Sequence, residues 1–112
     1  MSEFIIVGQR DGDAADVVVR GELDMYTAPQ LRERLVTLAS EGARYVTVDL
    51  AGVNFVDSTA LGVLVGGLKR LRQFDGDLLL RSPQPGTYKV LEMTGLTRIF
   101  TITGDGTRPA GA

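Results

Sequence analysis

The 112-residue chain contains no cysteine and no histidine. Without cysteine it forms no disulfide and offers no thiolate nucleophile. Without histidine the Ser-His-Asp triad is excluded, and the loss of both residues removes the usual zinc ligands. An enzyme built from the remaining side chains would have to work through carboxylate, Lys, Tyr or Ser. The composition therefore points to a binding module rather than an enzyme, with no metal or cofactor expected. Charge of one sign is also lacking: 12 basic and 14 acidic residues leave a net charge of -2. They are scattered without a basic stripe, so direct nucleic-acid binding is not expected. No apolar run approaches the roughly 20 residues that span a bilayer, and Met1-Ser2-Glu3 lacks the basic segment and apolar core of a signal peptide. These features predict a soluble cytoplasmic protein that does not enter a membrane.

Apolar residues make up 44% of the chain, enough for one domain with a core of its own. Phe4 to Val7 and Val17 to Val19 read as strands flanking the turn signal Asp11-Gly12-Asp13, and so predict an antiparallel hairpin. Thr27-Ala28-Pro29-Gln30 has the form of a capping box. Leu31, Leu35 and Leu38 then recur at helical spacing as far as Gly42. Tyr45 to Leu50 reads as a strand, Asn54 to Asp57 as a loop, and Leu61, Leu64, Val65, Leu68 and Leu71 as the stripe of a second helix. Leu78 to Leu80 is a further strand, and Tyr88 to Met93 a third helix with Gly95 placed as its C-terminal cap. Ile99 to Ile102 is the last strand. The predicted fold is α/β: a mostly parallel sheet of about five strands, its N-terminal hairpin antiparallel, with three to four helices. Residues 1–103 form the domain, and 104–112, rich in Gly, Pro and Ala, form a loose tail.

Chain order places a candidate surface. The second and third strands flank a crossover helix, so they run parallel and their carboxyl ends share one edge of the sheet. The segments leaving that edge are Gly21 to Tyr26 and Ala51 to Asp57. Asp57 suits the N-cap of the second helix, which makes Ser58 its first residue, at the positive end of the helix dipole. On its own, Asp57-Ser58-Thr59 is an ordinary cap, and Asp24 an ordinary turn residue. Met25 and Tyr26 can be exposed anchors or core residues. Gly62, Gly66 and Gly67 each cost about 0.5–1 kcal/mol relative to Ala in a helix interior. They imply close approach of the sheet beneath or of a partner above.

Three segments resemble the motifs of bacterial anti-sigma factor antagonists of the STAS family. They are Gly21-Glu22-Leu23-Asp24 with Thr27-Ala28-Pro29 and Leu31-Arg32, then Val56 to Leu64, and Leu91 to Leu96. They occur in the family's order, and the resemblance covers about residues 4 to 103. The resemblance implies a STAS fold and a partner switch. The unphosphorylated protein binds an anti-sigma factor that is also a serine kinase, and thereby releases the sigma factor. The kinase then modifies Ser58, binding is lost, and a phosphatase resets the cycle. It implies that Asp24, Asp57 and Ser58 belong to the partner surface, and Met25, Tyr26, Thr59 and Gly62 are candidates to complete it, on a monomer or weak dimer. The sequence departs from the family pattern at Ala60, where Gly is frequent, and after Ile102, where a final amphipathic helix is expected to be absent or stunted. Three other readings are open. One is a STAS subunit of a lipid-transport or stress-signalling complex. Another is a receiver-like domain with Asp49 as phosphoacceptor at a strand end. The third is a small metabolic enzyme with a pocket between the two edge loops.

Overall fold

The computed structural model describes residues 3–104. Strand β1 (Ile5–Asp11) pairs antiparallel with β2 (Ala14–Leu23) around Gly12-Asp13. Gly12 takes a positive φ of 65° there, a conformation glycine adopts without steric cost. The chain continues through α1 (Ala28–Ser40), β3 (Tyr45–Val56), α2 (Ser58–Arg72), β4 (Asp77–Arg81), α3 (Pro85–Met93), a 3₁₀ turn (Leu96–Arg98) and β5 (Thr101–Thr103). The sheet runs β1-β2-β3-β4-β5, parallel from β2 onward. This is the architecture the alternation of strand and helix patterns predicts.

Strand order never reverses. Crossovers between parallel strands are right-handed, so three that all advance in one direction place their helices on the same side of the sheet. Burial follows that rule. Val17 and Val19 of β2, Val46, Val48 and Leu50 of β3, and Leu78 and Leu80 of β4 are fully buried. They share one core cluster with Leu31 and Leu35 of α1, Leu64 and Leu68 of α2, and Leu91 of α3. The alternate strand positions turn the other way, as the two-residue period of a strand requires. On that opposite face Arg81 bridges Asp49 of β3 at 3.2 Å and Asp16 of β2 at 3.5 Å.

Several local expectations are corrected. β3 does not stop at Leu50: it runs to Val56, because β2 also extends and pairs with it from Arg20↔Gly52 to Leu23↔Val56. Irregularities in that ladder, between Val18 and Arg20 and between Gly21 and Glu22, break the alternation that marks a strand in sequence. Gly21 to Leu23 and Ala51 to Val56 are therefore strand rather than loop. Asp49 consequently lies inside β3, where Arg81 and the Ala51 N–H hold its carboxylate, so the strand-end position a receiver-like acceptor requires is not met. The capping box at Thr27 does not form either, since the Thr27 side chain makes no cap hydrogen bond to the helix. The last strand begins at Thr101, because Gly95 (φ 79°) leads into the 3₁₀ turn that consumes Leu96 to Arg98. Gly95 does follow α3 in the left-handed conformation of a C-terminal cap. The predicted tail falls, from residue 105 on, outside the described residues, and so does any final helix.

Candidate functional site

The carboxyl ends of β2 and β3 lie side by side, and the segment that leaves each is tied to the other. The Asp57 N–H donates to the Leu23 carbonyl at 3.2 Å, extending the ladder by one residue. Asp57 then caps α2: its Oδ1 accepts from the Ala60 N–H at 3.0 Å. Its Oδ2 accepts from the Met25 N–H at 2.9 Å, across 32 residues of sequence. One carboxylate thus closes the amino end of α2 and fastens the β2–α1 connection onto it.

That connection is otherwise held from within. Asp24 Oδ1 accepts from the backbone N–H groups of Tyr26 (2.9 Å) and Thr27 (3.1 Å). Thr27 Oγ1 donates to the Glu22 carbonyl at 2.7 Å and accepts from the Asp24 N–H at 2.9 Å. The Asp24 carbonyl receives the Ala28 N–H at 2.7 Å. The hydroxyl expected to cap α1 instead braces the turn before it, as Thr and Asp side chains do when backbone donors stand nearby.

This bracing turns two large side chains outward. Met25 is 59% exposed and Tyr26 79%. Of the two options the sequence leaves for them, exposed anchors or core, they take the first. Phe55, half-exposed at the end of β3, joins the same edge. It was concealed in sequence because Asn54 to Asp57 reads as a loop. Ser58 and Thr59 occupy the first turn of α2 and are exposed. Among the described residues Ser58 has no side-chain hydrogen bond, so its hydroxyl is free.

The three helix glycines separate by role. A Cβ at Gly67 would meet Leu35 Cδ1 at 2.9 Å and Leu78 Cδ1 at 3.0 Å, so Gly67 serves packing of α2 against α1 and the sheet. A Cβ at Gly62 or Gly66 would meet nothing within 4 Å. Those two leave the outer surface of α2 bare, one and two turns beyond Ser58.

The strand order also decides what kind of ligand this edge suits. In doubly wound sheets a crevice opens where strand order reverses. Here no reversal occurs among the described strands, and the edge carries exposed Met25, Tyr26 and Phe55. Such a surface, rich in aromatic and Met side chains, has the composition of a protein interface. Among the described residues, no helix is long and apolar enough to cross a membrane.

Comparison with known proteins identifies the family. The STAS domain family matches residues 6–106. The anti-sigma-B factor antagonist of Listeria monocytogenes is 38% identical over 102 residues, covering 91% of this chain and 90% of that protein. Its counterpart in Staphylococcus epidermidis is 41% identical over 90 residues, covering 80% and 83%. Among solved structures, SpoIIAA of Bacillus superposes in its unphosphorylated form with a TM-score of 0.77 at 22% identity, covering 89% of this chain and 87% of that one. Its phosphorylated form gives 0.70, covering 89% and 90%. The chain belongs to the STAS domain family, among its anti-sigma factor antagonists.

Proposed function

We propose that this protein is a phosphorylation-controlled partner switch of the bacterial cytoplasm. Its unphosphorylated form binds an anti-sigma factor that is also a serine kinase, and so frees the sigma factor. Phosphorylation of Ser58 by that kinase ends the binding, and a phosphatase restores it. The observation that carries this reading is the state of Ser58: an exposed first helical residue whose hydroxyl has no internal partner, beside a carboxylate already committed to the fold. Support comes also from the relatives, which are anti-sigma-B factor antagonists, and from SpoIIAA, whose fold is known in phosphorylated and unphosphorylated forms.

The binding surface consists of Met25, Tyr26, Thr59 and Gly62 around Ser58. Asp24 and Asp57 position it through the hydrogen bonds described above and contribute their charge. A phosphate on Ser58 adds about -1.5 to -2 charges at neutral pH. At the amino end of α2 the fold tolerates it, because the helix dipole is positive there. Burial against a partner next to Asp57 does not, at a cost on the order of 2–5 kcal/mol. Even the lower figure weakens binding roughly thirtyfold. The switch therefore acts by charging a surface and needs no refolding.

The direct test is incubation with the cognate kinase and ATP, followed by mapping of the phosphate by mass spectrometry. Modification is expected at Ser58 and absent in Ser58→Ala. Undiminished labelling of Ser58→Ala would remove the site assignment.

A further inference from the structure

Beyond the loop edge, a groove of about 330 Å³ runs between α1 and α2. Its floor is Gly62, Gly66 and Gly67, and its apolar walls are Leu35, Val36 and Val63. Val36 is 38% exposed, an uncovered β-branched side chain on a surface helix. Arg32 from α1 and Arg70 from α2 also line the groove, and no acidic residue does. The ion pairs among the described residues use Arg72 and Arg81, so the charges of Arg32 and Arg70 are left uncompensated by any salt bridge. On a chain whose net charge is -2, this groove is a local positive site. Thr59, next to Ser58, lines it as well. From Thr59 to Arg70 the groove follows twelve residues of helix, whose eleven steps rise about 16 Å at ~1.5 Å each, the length of three turns.

We infer that this groove receives a helix of the partner kinase that has an apolar face flanked by acidic residues. The inference rests on the partner-switch reading and specifies the partner's contacting element. An apolar strip with small-residue gaps accepts the ridge of a packed helix at close range. Arg32 and Arg70 take its carboxylates, and complementary charge at a rim speeds association and fixes register. The same arrangement explains why Gly62 and Gly66 stand in a helix interior without any internal neighbour that requires them. Their missing side chains keep the floor open. Phosphate on Ser58 adds negative charge at the Thr59 end, where an acidic helix is repelled.

Three variants of the full chain test this by calorimetric titration with the purified full-length cognate anti-sigma factor kinase. Gly62→Ala with Gly66→Ala is expected to raise Tm by roughly 2–4 °C per site, because Ala is the better helix former and fits without a clash. The same pair is expected to weaken kinase binding by at least roughly tenfold. Arg32→Glu with Arg70→Glu is expected to weaken binding at least as much and to flatten its salt dependence. Gly66→Leu is expected to abolish binding while leaving the sedimentation of the free protein unchanged. If these variants bind as the wild type does while Ser58→Asp does not, the groove is not the docking site, and the partner-switch reading stands without it. If Gly66→Leu instead converts a dimer to a monomer, the occupant is a second copy of the chain and the inference falls. If the unaltered, unphosphorylated protein does not bind the kinase at all, both readings fall.

Discussion

Asp57 is the residue through which stability and the candidate surface are most closely linked, and Asp57→Ala tests that link. The carboxylate makes two bonds of different kinds, to Ala60 N–H within its own helix start and to Met25 N–H on the neighbouring connection. Loss of an N-cap costs about 0.5–2 kcal/mol. The bond to Met25 has a charged acceptor, worth about 1.5–3 kcal/mol in a buried setting, but Met25 is exposed, so water replaces much of it and about 1 kcal/mol remains. The sum is about 1.5–3 kcal/mol. Unfolding entropy of about 2.1 cal/mol/K per residue makes 1 kcal/mol worth about 4 °C in a domain of this size. Asp57→Ala is therefore expected to lower Tm by about 6–12 °C, read by circular dichroism or scanning calorimetry. Asp57→Asn separates the two bonds. Its amide oxygen caps the helix as well as a carboxylate does, but its NH₂ group meets the Met25 N–H donor to donor. It should recover about half of the lost Tm while leaving the Met25 amide more open to hydrogen exchange. An unchanged Tm in Asp57→Ala would refute the role assigned to this carboxylate.

Three further outcomes follow from the same geometry. Ser58→Asp should leave Tm within about 2 °C of the wild type, because favourable placement at a helix start, worth 0.3–1 kcal/mol, offsets repulsion by Asp57; a collapse in the melting curve would make Ser58 a structural residue. Thr27→Val keeps the shape but deletes the hydroxyl that braces Glu22 and Asp24, and should cost about 1–2 kcal/mol in a denaturant titration. Gly67→Ala should destabilise by about 1–3 kcal/mol despite the better helix propensity of Ala, since the added methyl crowds Leu35 and Leu78. A stabilised Gly67→Ala would show that α2 shifts freely on the sheet.

The secondary-structure pattern was legible because burial imposes a period on sequence. Leu31, Leu35 and Leu38 mark α1, and Leu64, Leu68 and Leu71 mark α2; each triplet faces the core. Asp57 as the α2 cap was legible for the same local reason, since a cap is a contact across only three residues. Even the edge carrying the candidate surface could be located from chain order, because a crossover helix forces its two strands to run parallel.

What the sequence could not decide depends on partners far away in the chain. The length of β3 was set by β2 pairing with it through an irregular ladder, which hid both the strand and Phe55. Thr27 has the sequence context of a cap, but the backbone of Glu22 and Asp24 competes for its hydroxyl and wins. The three α2 glycines look alike in sequence. Only the packing of α1 and β4 against one side of α2 sets Gly67 against Leu35 and Leu78 and leaves Gly62 and Gly66 facing open space. By itself the sequence determined the elements, their order and the serine at the start of α2, all from local periodicity and capping. The tertiary structure alone decided that Asp57 is a fastener between two segments and that Met25 and Tyr26 point outward. It also placed two arginines on a bare groove, because each of these depends on which distant residues the sheet brings within a few ångströms.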